Sequence, residues 1–120
     1  MDTIMWQRLE GAGVFLSALM LFALGDNGIV WWLAILLFFA PDISFAGYLA
    51  GPRIGAFAYN LVHLYAFGAC FLALGLGLGT PVLAGLGALW IAHAGFDRML
   101  GYGLKLPEGF TVTHLGTIGR

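Results

Sequence analysis

The sequence predicts an all-α, polytopic membrane protein: a bundle of four helices followed by a short polar tail. Three observations lead there. Hydrophobic residues fill 61% of the 120 positions and charged residues 9%, with a mean hydropathy of +0.93. A water-soluble domain carries about 25% charged residues, and one this short lacks the interior to hide so much apolar side chain. The apolar residues fall into four stretches, each close to the roughly 20 residues that cross a hydrocarbon core. Polar turns rich in glycine and proline separate them.

The first stretch covers about 4–24 and stops at Gly25-Asp26-Asn27-Gly28. ALG before Asp26 has the small residues of a signal-peptide cleavage site, but Arg8 and Glu10 stand close to the apolar run, and a retained span is expected. The second begins near Ile29 with Trp31 and Trp32, an aromatic pair suited to a membrane interface. It then meets Pro41 and Asp42 before running on to Gly51-Pro52-Arg53. Proline removes a backbone donor and clashes with the carbonyl four residues back, so this helix should kink or break near Pro41. Either one bent helix continues to Ala50, or Asp42 caps a second short one. The third stretch covers about 54–76, and the fourth starts at Pro81, a first-turn position, and reaches about Met99.

The chain divides into one transmembrane domain, 1–104, and a cytoplasmic tail, 105–120. GYGLKLPEGFTVTHLGTIGR is too polar for a fifth span, yet Tyr102, Phe110 and His114 suit a segment folded back under the bundle as a cap. With four crossings, Arg8, Arg53, Arg98, Lys105 and Arg120 gather at one face, while the other has only Asp26 near span ends. The positive-inside rule then places both termini in the cytoplasm. A net charge of −1 without a basic run excludes nucleic acid as a partner. The single cysteine, Cys70, excludes an internal disulfide. Gly47, Gly51 and Gly55, then Gly75 and Gly79, are spaced four apart, and Gly85, Gly87 and Gly95 follow in the fourth helix. Small faces of this kind serve close packing within one bundle or a homo-oligomer contact in the bilayer.

The ionisable residues inside these stretches are the functional suspects, because a charge at mid-membrane costs about 2.5–3.5 kcal/mol on insertion scales. At about 1.5 Å per residue, Glu10, Asp42, His63 and His93 come to similar depths in the cytoplasmic half, each from a different helix. Tyr59 and Asn60 share a face with His63, and Asp97 is four residues beyond His93 on the same face. Arg98 points about 100° away from Asp97; it is expected to snorkel to the headgroups or to pair with Asp42 or Glu10. Glu10, Asp42, His63, His93 and Asp97 are therefore candidate metal ligands, with Tyr59, Asn60, Arg98 and His114 as candidate ligand-binding residues. Carboxylates and imidazoles from facing helices suit a divalent metal. Two histidines could also hold a haem axially, a weaker reading without any CxxCH. No HExxH, ExxH or CxxC is present, and Ser17 and Ser44 lie in no nucleophile elbow.

RLEG at 8–11, APDISFAGYLAGPRIGA at 40–56, YNLVH at 59–63, HAGFDRMLGYGLK at 93–105 and GFTVTHLG at 109–116 carry a resemblance across nearly the whole chain. Together they resemble a family of small bacterial four-helix integral membrane proteins that bears only a domain-of-unknown-function label. The resemblance implies a bacterial cytoplasmic (inner) membrane and supplies no activity or site. Three functions stay open at this stage: a buried metal site acting on a membrane-soluble ligand, an oligomeric transporter, channel or proton relay, and a structural or partner-binding module. Whether the protein is an enzyme is open with them.

Overall fold

The computed structural model describes residues 2–118, and these are mainly helical up to Leu100. Helix α1 spans Thr3–Leu24, with Asp2 as its cap: the Met5 amide donates to the Asp2 carboxylate at 2.9 Å. The helix ends at Gly25, where Asn27 takes over the turn, donating to the Phe22 carbonyl and accepting from the Ile29 amide. Helix α2 spans Trp31–Phe38 and is followed by a 3-10 segment, Ala40–Ala50. The expected break at Pro41 therefore appears as a change of helix type, with the chain rewound into a tighter form beyond it. Gly51, at φ 112°, closes that segment, and Pro52 opens helix α3, Pro52–His63.

The third stretch differs from expectation. It is cut at Leu64, which is extended (φ −73°, ψ 141°), into α3 and helix α4, Tyr65–Gly77, bent by 44°. No proline or glycine marks the break. Helix α5, Pro81–Leu100, ends in a left-handed Gly101 whose amide donates to the Arg98 carbonyl, while Tyr102 donates to that of Asp97. Beyond it, strands β1 (Val112–Thr113) and β2 (Gly116–Thr117) form a small antiparallel hairpin, Val112 opposite Thr117.

Helix α5 is the centre of the molecule. It packs mainly between α1 and α4, with α2 and α3 also against it, while α3 lies along the 3-10 segment. Glycines bring the backbones together. A Cβ on Gly95 would meet the Phe15 amide nitrogen at 2.6 Å, one on Gly11 would meet the Arg98 Cβ at 2.5 Å, and one on Gly87 would meet the Leu72 backbone. Gly75 is pressed in the same way on Ala84. Gly75, Gly87 and Gly95 of the expected small faces, and Gly11 with them, make contacts within the chain.

By length and composition, α1 and the α2 to 3-10 run, Trp31–Ala50, could each cross a membrane, and α3 with α4 makes a third if the bent pair is one span. Central α5 falls outside that set, where four crossings were expected. It can carry His93, Asp97 and Arg98 because its neighbours cover it: all three are buried. The outer helices show the converse pattern, with Leu16, Met20 and Leu24 of α1 and Trp31 and Leu36 of α2 exposed. Soluble monomers seldom expose contiguous apolar surface on that scale; the surface is consistent with a membrane protein. Arg120, expected on the basic face, lies outside the described residues.

Candidate metal centre

Three elements deliver the polar residues to one point. Helix α3 buries Gly55, Ala56, Tyr59 and His63, a single stripe that places His63 in its last turn against α5. Helix α5 supplies His93 and Asp97, one turn apart, and the 3-10 segment supplies Asp42 just after Pro41. One donor atom from each of the four, Asp42, His63, His93 and Asp97, lies within 4.8 Å of every other.

Five of the six separations are close to one another, and the sixth, between the carboxylate oxygens of Asp42 and Asp97, is within 4.8 Å. The two Nε2 atoms of His63 and His93 are 3.1 Å apart. Asp42 Oδ1 lies 3.4 Å from the first and 3.2 Å from the second, and Asp97 Oδ2 lies 3.5 and 3.4 Å from them. A tetrahedral ion with bonds of about 2.0–2.1 Å to nitrogen and oxygen separates its ligand atoms by about 3.3–3.4 Å. Five donor separations thus match the edge of such a site.

Hydrogen-bond inventory points the same way. His63 Nδ1 lies 2.7 Å from the Tyr59 carbonyl, which can only accept, so Nδ1 carries the proton and Nε2 of the neutral ring presents a lone pair. The carboxylates add acceptors, and Asp97 Oδ2 already takes the Tyr59 hydroxyl at 3.2 Å. With both imidazoles neutral, at most one proton, on His93 Nε2, serves three acceptors. When that proton sits on Nδ1 instead, four electron pairs converge on one spot. A cation resolves this surplus. The support around His93 is less complete: its Nδ1 is buried without a partner, enclosed by the rings of Phe38 and Phe39.

The neighbouring residues hold the cluster in shape. The Tyr59 ring stacks on His63 with centroids 3.7 Å apart. Arg98 is buried and makes neither of the contacts expected of it: it donates to the carbonyls of His63 at 3.2 Å and Tyr102 at 3.4 Å. The break at Leu64 leaves the His63 carbonyl without a helical amide, and the guanidinium supplies the donor. Arg98 therefore belongs to the helix break, neither at the headgroups nor paired with an acid. Asn60 clamps the tail, exchanging two hydrogen bonds with the Lys105 backbone. The Lys105 ammonium donates to the Phe110 carbonyl and lies over the rings of Tyr59 and Phe110; burial pulls its pKa below the ordinary lysine value.

The remaining candidates lie apart. Glu10 is on an exposed face of α1 beside Gly13 and Ser17, outside the four converging donors. His114 is in the tail, where its Nδ1 accepts from the Leu104 amide at 2.8 Å. Burial, with the charge of Arg98, pulls its pKa below the usual histidine value. Cys70 is exposed on α4, beyond the bend. The Nε2 atoms are too close for a porphyrin to pass between, which removes the haem geometry. Sequence reasoning missed the second role of Tyr59, as a hydroxyl donor to Asp97, and that of Arg98. Neither has a local sequence signal, because both partners are remote in the chain.

A family model described as "Domain of unknown function (DUF4260)" matches residues 4–118. No curated protein and no solved structure matches the chain.

Proposed function

We propose a function on the premise that the chain belongs to that family of unknown function, whose model spans nearly all of it: it is a bacterial inner-membrane protein that binds a divalent metal through Asp42, His63, His93 and Asp97 and uses it on a membrane-soluble ligand. The observation that carries this reading is that five of the six donor separations are 3.1–3.5 Å, near the edge length of a tetrahedral site, with all four donors within 4.8 Å of one another. Two imidazoles and two carboxylates in four-coordinate geometry favour zinc among the common divalent ions. In this reading α1, Trp31–Ala50, α3 with α4, and α5 cross the bilayer in turn, both termini are cytoplasmic, and the hairpin caps the cytoplasmic side. Arg8, Arg53 and Lys105 at one end support that orientation.

The test is elemental analysis of protein purified in detergent. The wild type is expected to carry one divalent ion per chain, and His63→Ala and His93→Ala to carry none. A metal-free wild type that cannot be loaded with zinc or cobalt contradicts the reading.

One observation favours a second reading, a proton relay: Asp42 is partly exposed and leads to two imidazoles at hydrogen-bonding distance. Proton flux in reconstituted vesicles that falls in Asp42→Asn, from protein shown to be metal-free, would select it.

A further inference from the structure

The four donors are not equivalent. The side chains of His63, His93 and Asp97 are 0, 2 and 12% exposed, and that of Asp42 is 35% exposed. Their backbones differ as well. His63, His93 and Asp97 sit in α-helices packed on one another, whereas Asp42 rides on an eleven-residue 3-10 segment. That helix form has poorly aligned hydrogen bonds, rarely persists beyond three or four residues, and often marks a hinge. Three donors are buried on regular α-helices, and the fourth is partly exposed on the 3-10 segment.

The surface around the fourth donor is apolar. Residues three apart eclipse one another in a 3-10 helix, and the Asp42 amide donates to the Phe39 carbonyl at 3.1 Å. Phe39, Asp42 and Phe45 therefore line one edge, with both phenylalanines substantially exposed, as is neighbouring Ile43. Each ring leads inward: Phe39 lies against His93 with centroids 6.3 Å apart, and Phe45 stacks on Tyr59, which stacks on His63. The partly open edge of the cluster is thus a mouth between two aromatic side chains, on a surface too apolar to favour a free hydrophilic solute.

Resting on the metal reading, we propose that Asp42 is an exchangeable ligand: the metal keeps His63, His93 and Asp97 and takes, in place of Asp42, the oxygen-donor head of a membrane-dissolved amphiphile entering between Phe39 and Phe45. Three protein ligands with one exchangeable position is the arrangement of catalytic rather than structural zinc. The two rings give an apolar chain its contact area, and the metal selects the head.

Cobalt-loaded protein in detergent tests this through its visible absorption band, with decanohydroxamate and acetohydroxamate as probes sharing one head. Asp42→Ala and Asp42→Asn are expected to retain one cobalt per chain at saturating metal and to bind both probes about tenfold more tightly than wild type, because the internal competitor is gone. Phe39→Ala with Phe45→Ala is expected to weaken decanohydroxamate about tenfold relative to wild type in the same micelles and to leave acetohydroxamate unchanged. Cobalt lost from both Asp42 variants as completely as from His63→Ala overturns the inference, as does equal weakening of the two probes, or none, in the double variant. If wild type itself takes up no cobalt, this inference falls together with the reading beneath it; if cobalt binds and the probe arms fail, only this inference falls.

Discussion

A single proton decides how the cluster behaves. With His63 Nδ1 committed to the Tyr59 carbonyl, its Nε2 faces Asp42, Asp97 and His93 as an acceptor. Tyr59 orients two of the four ligands, His63 through that carbonyl and by stacking, and Asp97 through its hydroxyl. Groups orienting metal ligands typically matter 10–100-fold in affinity. Tyr59→Phe, which keeps the ring, is expected to lower metal affinity about tenfold at unchanged stoichiometry; a chelator-competition titration measures it. Also at this scale, His114 titrates against its surroundings. Its folded-state pKa lies below the unfolded value of about 6.5, chiefly through burial. The stability it contributes is then fully present above that pH and is lost as pH falls through the lowered folded value. Protonating Nδ1 also removes the acceptor for the Leu104 amide. Hydrogen-exchange protection at Leu104, corrected for intrinsic rates, is expected to fall as the pH is lowered below about 6.5. His114→Ala should flatten that dependence.

At the level of elements, the convergence of four of the five candidate ligands was legible because two kinds of information suffice for it. Depth along a span follows from residue count, and a shared face follows from spacings of three and four, which paired His63 with Tyr59 and His93 with Asp97. Glu10 shows the limit: equal depth says nothing of which way a helix turns, and α1 turns Glu10 outward. The Leu64 break was not legible either, since Arg98, which caps the freed His63 carbonyl, lies 35 residues beyond His63. A change of helix type does fall at Pro41, where the sequence predicts a kink or break, because proline acts locally. Glycines, by contrast, announced close packing without naming partners. Gly87 now has one: a side chain there would enter the Leu72 backbone and come within 2.7 Å of the Gly68 carbonyl. Overpacking of a tight contact typically costs about 1–3 kcal/mol, and here the obstacle is backbone. Gly87→Val is expected to destabilise the protein by at least that much, whereas Gly13→Ala, with open space around it, should not; thermal unfolding in detergent compares them.

Across the whole molecule, the apolar exterior and polar interior were both implied by composition, but not their division of labour. The central helix carries three buried ionisable residues, His93, Asp97 and Arg98, and they are enclosed by α1, α3 and α4. A sequence window cannot reveal that shielding, because it depends on which helix the others surround. The proposed orientation makes a direct prediction. In a Cys70→Ser background, Asp26→Cys should react with a membrane-impermeant maleimide applied outside intact cells, and Glu108→Cys, exposed in the tail, only after the cells are opened. Equal labelling of both positions from outside contradicts the four-crossing arrangement.

X-ray absorption at the metal edge of zinc-loaded protein bears most directly on the convergence of Asp42, His63, His93 and Asp97. The expected result is a four-coordinate shell of nitrogen and oxygen at about 2.0–2.1 Å, with the outer-shell scattering of two imidazoles that disappears in His63→Ala. Zinc bound without imidazole scattering, or scattering indifferent to the loss of His63, would contradict it.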